Sequence, residues 1–361
     1  STITQVQALS IDFHFLIEQK AKSNSQLFMN FNGTAGIWRR ECIEDAGGWH
    51  TATLVEDLDL SYRAQMKGWK CVFLPDIVVD AELPAQMNGA KRQQFRWAKG
   101  SIQCAIKLLS DIGLKRNVAI EAKIQAFIQL TRHIVYPLVL IQFLTLPILL
   151  AAQVNLYVVS VLPALTIATY LAMGPGAYLV VIRGMYHESW KSKAKLLPAL
   201  LVYNAGMSVN NTVAVFDAIL GKKNEFHRTP KYGIVTKKDN WKDKAYNLPF
   251  TQTTLLEIFF GVYGIMGIFI SIFSNNPVFV PIIALQAIGF FFIAYLSLSH
   301  TRFKRNKSSD NRPKTKKENM ANRIYKLSMV GILGIIIFGG FMAISGYNSD
   351  IYPLDRIRGN L

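Results

Sequence analysis

Five stretches of this chain are long and apolar enough to cross a bilayer, and no other feature limits its fold so severely. They cover about 131–153, 157–182, 250–273, 277–299 and 324–346. In hydrocarbon the backbone polar groups must be satisfied internally, so these stretches are predicted to be helices. The composition agrees: 51% of residues are hydrophobic, 17% are charged and the mean hydropathy is +0.22, too apolar for a soluble protein of 361 residues.

A further stretch, 196–220, has the length of a crossing but carries Asn204, Ser208, Asn211 and Thr212 at three- to four-residue intervals. That period draws a polar stripe along one helical face, which predicts an interfacial helix or one packed against protein. Charge supports this reading. Lys and Arg collect in 183–195 (Arg183, Lys191, Lys193, Lys195), in 221–249 and in 300–323 (including Arg302, Lys304, Arg305, Lys316 and Lys317). If 196–220 stays on one side, all three loops face the cytoplasm, as the positive-inside rule asks. The net charge of +17 then reflects topology and contact with anionic lipid. Because the basic residues flank spans, nucleic acid is not an expected partner.

Residues 1–115 form the predicted soluble part, with 116–361 as the membrane domain. Val6, Leu9, Phe13, Leu16 and Ile17 recur at helical spacing within 1–26. Leu27–Phe31, Ala35–Arg40, Lys70–Leu74 and Ile77–Ala81 read as strands, with short helices at Glu41–Ala46 and about Asp57–Lys67. The fold class expected here is therefore partial α/β, followed by an all-α transmembrane domain of about five crossings plus interfacial helices. Cys42, Cys71 and Cys104 lack paired spacing, which suggests a reducing compartment and no metal site in this chain. The chain opens at Ser1 without a signal-peptide pattern, and its numbering is expected to begin inside a longer protein.

Two clusters precede the first span: Val55-Glu56-Asp57-Leu58-Asp59 and Gln93-Gln94-Phe95-Arg96-Trp97. By themselves they permit structural readings. Glu56 and Asp57 can cap a helix and favour its positive end. The second cluster can belong to a basic amphipathic helix, with Lys91, Arg92, Arg96 and Lys99 toward headgroups and Phe95, Trp97, Ile102 and Ile106 dipping in.

Together, and in this order before membrane spans, the clusters resemble the second half of a processive, membrane-integrated family 2 glycosyltransferase. The likeness is closest to the cellulose-synthase-like glucomannan and mannan synthases. The resemblance implies a GT-A-like catalytic domain, here partial. Val55-Glu56-Asp57 is similar to the Thr-Glu-Asp motif whose Asp is the base, with Val for Thr. Gln93, Arg96 and Trp97 match every defined position of Gln-x-x-Arg-Trp, which frames the acceptor site. Phe226, Thr229 and Lys231 match a gating loop of pattern Phe-x-Val-Thr-x-Lys, with Arg228 in place of Val. Phe31–Arg39 and Gly47-Gly48-Trp49 resemble the border of the acceptor pocket, making Asn32 and Trp49 further candidates.

The function so implied is inverting transfer from a UDP- or GDP-hexose to a growing β-linked polysaccharide at the cytoplasmic face, with translocation through the helices. The resemblance also implies a divalent cation, Mg2+ or Mn2+, whose Asp-x-Asp ligands lie upstream of the segment resembling Ser1–Arg40. The donor-binding half is thus expected to be missing from this chain. A different class remains open: a polytopic transporter or scaffold with a small regulatory domain. It should show charges near the bilayer midplane, and the sequence offers few: Arg132 and His133 at one end of a span, and Asp217. His133 is expected to snorkel to the interface rather than line a translocation path.

Overall fold

The computed structural model describes residues 2–33, 35–153, 174–223, 228–233, 248–249 and 251–302. In the first part, α1 (Thr2–Phe13) passes through a π-helical turn (His14–Gln19) into α2 (Lys20–Asn24). Next come α3 (Arg40–Asp45), α4 (Glu56–Met66) and the long α5 (Met87–Leu114). Then α6 (Ile120–Thr131) leads through a single 3-10 turn into α7 (Val135–Ala151). The rest comprises α8 (Gly174–Tyr186), α9 (Trp190–Ala194), α10 (Leu197–Ile219), α11 (Thr253–Phe273) and α12 (Val280–Arg302).

Three described helical stretches have membrane length and composition: Ile120–Ala151, Thr253–Phe273 and Pro277–Thr301. At 1.5 Å per residue even the shortest covers about 30 Å, the thickness of the hydrocarbon core. The chain thus has the helices of a membrane protein, with three candidate crossings among the described residues where five were expected. Of the other two, 157–182 lies mostly outside the described residues, only its end falling in α8, and 324–346 lies wholly outside them.

The α/β expectation is not met. Among the described residues there is no β-strand. Leu27–Phe31 is non-helical, but helical side chains satisfy its backbone in place of a ladder. The Met29 N–H donates to Gln65 Oε1 at 2.9 Å, and Gln65 Nε2 returns a bond to the Met29 carbonyl at 2.7 Å. The Phe31 N–H donates to Ser61 Oγ at 2.8 Å, and Gln19 Nε2 to the Asn30 carbonyl at 2.8 Å. Lys70–Leu74 is likewise unpaired, with the Phe73 N–H on Ser23 Oγ. Ile77, Val78 and Val79, read as part of a strand, lie exposed. Apolar runs signal burial, but they do not create a neighbouring strand to pair with.

The α10 helix packs against α5, α7 and α12. Its polar face meets protein: Ser208, Asn211 and Thr212 are buried. One apolar cluster unites Val6 and Leu9 of α1, Met87 of α5, Leu200 and Met207 of α10, and Ile293 of α12. Backbones approach closely where Gly206 meets Gly289, since a Cβ on Gly206 would overlap the Gly289 carbonyl. Gly206→Ala is therefore expected to force α10 from α12 and destabilise the bundle by about 1–3 kcal/mol or more, read as a lower unfolding temperature in detergent.

Candidate active site

Asp57 lies in the first turn of α4, where free N–H groups point at its carboxylate. The Leu58 N–H donates to Oδ1 at 2.8 Å and the Gly33 N–H donates to Oδ2 at 2.9 Å. Gly33 has φ +66°, so the turn that aims its N–H at Asp57 suits glycine. Ser61 locks the arrangement: its hydroxyl donates to the Asp57 carbonyl at 2.6 Å and accepts from the Phe31 N–H. Burial pushes the Asp57 carboxyl above its ordinary value and the neighbouring Glu56 charge adds to this, outweighing the lowering by the backbone N–H groups of Leu58, Gly33 and Asp57 itself. Glu56 itself is exposed.

The α5 helix brings the second cluster to the same place. Gln93, Arg96 and Trp97 share one helical face by their i, i+3, i+4 spacing. Trp97 and Leu58 both pack on the cluster of Phe28, Val55 and Tyr62, so the indole lies on the side of α5 that meets the start of α4. Arg96 is within electrostatic range of Asp57 and Glu56. Burial draws its guanidinium below its ordinary value, the two carboxylates act in the opposite sense, and Arg228 adds to the lowering. The Val at position 55 has a packing reason: a Cβ on Gly100 would come within 2.5 Å of Val55 Cγ2, so α5 and the start of α4 touch there. Gln103 Oε1 accepts the Leu54 N–H at 3.0 Å and ties the same junction.

The headgroup reading of α5 fails on burial. Lys91 and Lys99 are fully buried in protein. Lys91 Nζ lies 2.7 Å from Glu257 Oε1 of α11, and Lys99 Nζ donates to the Lys222 carbonyl at 2.6 Å. Glu257 is a carboxylate inside a membrane-length helix that no local motif marks, and its charge is met by Lys91. His133 also departs from expectation: it is buried against the Tyr136 ring, with centroids 5.8 Å apart, and does not snorkel.

Asp59 carries no substrate chemistry in this arrangement. It is buried and ion-paired to Arg63 at 2.9 Å and Lys107 at 2.7 Å. Arg63 also donates to the carbonyls of Ala46 and Gly48, strapping the Gly47-Gly48-Trp49 loop to α4. Trp49 is 48% exposed, edge-on to Trp38, whose ring lies 5.1 Å from that of Phe31. Asn32, next in the chain, accepts from Asn30 Nδ2 at 2.8 Å. An aromatic row therefore runs out from the Asn32–Gly33 turn. Among the described residues no group of three His, Cys, Asp or Glu could hold a metal ion. Asp59 is not available as a ligand, because its carboxylate is already held by Arg63 and Lys107.

Of the loop residues, Phe226 lies outside the described residues. Lys231 does not point to a free phosphate site: its Nζ donates to the Glu82 carbonyl at 2.6 Å. Glu82 and Gln86, which grip this loop, have no signature in the sequence, since their partners lie about 150 residues away.

Residues 2–181 match the family described as glycosyl transferase family group 2. Over 301 residues the chain is 30% identical to glucomannan 4-beta-mannosyltransferase 9 of Arabidopsis thaliana, covering 81% of this chain and 54% of that protein. It is 28% identical over 301 residues to glucomannan 4-beta-mannosyltransferase 7 of the same plant, covering 81% and 51%. Over 140 residues it is 41% identical to glucomannan 4-beta-mannosyltransferase 1 of Oryza sativa subsp. japonica, covering 39% and 25%. The chain spans about half the length of the two Arabidopsis relatives. By its sequence the chain belongs to glycosyl transferase family group 2 and is homologous to the plant glucomannan 4-beta-mannosyltransferases.

Proposed function

We propose that this chain forms the acceptor-side and membrane part of an inverting β-glycan synthase, which extends a polysaccharide from a nucleotide sugar at the cytoplasmic face and passes it through its helices. The observation that supports this reading is the packing of α5 on the start of α4, which holds Asp57, fixed by the Gly33 N–H, within electrostatic range of Arg96 and leaves Trp97 on the apolar cluster of Val55 and Tyr62. Asp57 takes the proton from the acceptor hydroxyl as that oxygen attacks the anomeric carbon. The bond from that carbon to the diphosphate breaks on the opposite face, which inverts the configuration. Arg96 offsets charge on the departing nucleoside diphosphate. Trp97 offers a ring face to the acceptor pyranose, Gln93 reaches its hydroxyls, and Asn32 and Trp49 border the pocket. The names of the relatives favour a mannosyl donor and a 4-β linkage, and the donor is a UDP- or GDP-hexose.

The test feeds radiolabelled UDP- and GDP-hexoses to membranes containing the full-length polypeptide. Label in an insoluble β-glycan supports the reading, and no incorporation from any donor removes it. In the same assay Trp97→Ala is expected to reduce chain extension by about tenfold or more while donor hydrolysis falls less. Equal loss of both would place Trp97 outside the acceptor site.

A further inference from the structure

Asp57 and Asp59 stand two residues apart on α4, so their side chains leave the helix in roughly opposite directions. Asp57 meets the Gly33 N–H, whereas Asp59 is buried between Arg63 and Lys107. From the Asp59 carboxylate a network reaches the turn that carries Trp49. Arg63 donates to the carbonyls of Ala46 and Gly48, and His50 Nε2 lies 3.1 Å from the carbonyl of Gly47, so three successive carbonyls are held at once. Lys107 Nζ of α5 lies 3.0 Å from His50 Nδ1 and 2.7 Å from Asp59 Oδ1, which ties the turn to both helices. Gly47 and Gly48 have φ of +86° and +77°, a backbone that side chains would strain.

This bonding fixes the protonation of His50. A carbonyl only accepts, so Nε2 carries the proton it donates to Gly47; an ammonium only donates, so Nδ1 must be bare to accept from Lys107. His50 is therefore neutral in this arrangement. A second proton would set an Nδ1–H against the Lys107 ammonium. Asp59 Oδ2, 3.7 Å from Nδ1, is already taken by Arg63 at 2.9 Å. These are the charged groups that α4 and α5 place against His50 among the described residues, and Asp45 of α3 is engaged elsewhere, by Lys67 and Trp69.

Resting on the synthase reading, we infer that His50 is a positioning residue for the acceptor: it touches no sugar, and by joining Lys107 to the Gly47 carbonyl it keeps Trp49 in place at the end of the row through Trp38 and Phe31. A proton added to His50 breaks the Lys107 contact and loosens the turn. Acceptor affinity thereby depends on pH through a side chain outside the contact surface.

The experiment measures transfer to added soluble 4-β-linked mannan oligosaccharides in membranes containing the full-length polypeptide, and separately their binding to the detergent-purified protein. His50→Ala is expected to raise the acceptor KM and the oligosaccharide Kd by about three- to tenfold, with kcat and the donor KM changed much less. His50→Asn, whose Oδ1 can replace Nδ1 as the acceptor for Lys107, should recover part of that loss. Between about pH 8 and about pH 5.5 the wild-type Kd should rise as His50 takes up its proton, and His50→Asn should show no such rise. Lys107→Met should blunt it as well, because a protonated His50 then has Asp59 to pair with. The effect is read in binding, apart from the loss of transfer that protonating Asp57 brings. An unchanged Kd in His50→Ala, or an acid rise that persists undiminished in His50→Asn, overturns the assignment. So does a lowered unfolding temperature with kcat and KM affected alike, which would mark His50 as structural only. A wild type that binds the oligosaccharides but transfers no sugar defeats the synthase reading alone, and the binding comparison still decides the role of His50. A wild type that binds none defeats both.

Discussion

Asp57→Asn is expected to lower sugar transfer by about 10²–10⁴-fold in membranes containing the full-length polypeptide, with donor binding intact and the unfolding temperature unchanged or raised. The two halves of that outcome have one cause. Burial holds the Asp57 carboxyl above its ordinary value, so above that pKa the ionised side chain opposes folding. An asparagine there is neutral at every pH, and its single carboxamide oxygen can still accept the Gly33 N–H, while the Leu58 N–H loses its carboxylate partner and so offsets part of the gain. Removing the charge therefore costs catalysis and not stability. A purely capping carboxylate would show the reverse, because its replacement should reduce stability and spare the rate. The pH profile separates the two further. Transfer requires ionised Asp57, so the wild-type rate should fall as pH drops through the raised value, at a higher pH than an ordinary carboxylate would give. The residual activity of the Asn variant should lack that limb. Retained transfer in Asp57→Asn at neutral pH removes Asp57 as the base.

The candidate site residues were legible in the sequence because their patterns are local. Val55–Asp59 and Gln93–Trp97 are short runs, and each places its side chains on one helical turn. Membrane length was legible for the same reason in α7, α11 and α12. What failed depends on partners remote in sequence. The Leu27–Phe31 run signalled burial correctly at Phe28 and Met29, but the groups that satisfy its backbone are Gln65 and Ser61 of α4, which no alternation pattern encodes. Lys91 and Lys99 read as headgroup contacts because their helix is amphipathic. Their true partners, Glu257 and the Lys222 carbonyl, come from beyond residue 200.

Breaking the Lys91–Glu257 pair is the second large effect. Both side chains are fully buried, and Lys91 also donates to Thr254 Oγ1 at 3.2 Å, while its own carbonyl accepts from Asn210 Nδ2 at 3.0 Å. Lys91 thus joins α5 to α10 and α11 at one point. Two more bonds fix the same end of α5 to α12: the Met87 N–H on His300 Nδ1 and Asn88 Nδ2 on the Ser297 carbonyl. Lys91→Met alone leaves a buried carboxylate, and Glu257→Leu alone leaves a buried ammonium, so each should cost about 3–5 kcal/mol. The double variant removes both charges and should recover most of that loss, since apolar replacements of a buried pair are often neutral or stabilising. Detergent-phase thermal unfolding of all four proteins gives the coupling energy, and additive losses would show that the pair does not interact. Activity should not follow stability. Gln93, Arg96 and Trp97 begin within one turn of Lys91, and an apolar pair no longer fixes the rotation of α5 against α11. The double variant is therefore expected to regain its unfolding temperature but transfer sugar more slowly than wild type. That separation would locate in one buried ion pair the link between the membrane helices and the aim of the catalytic face.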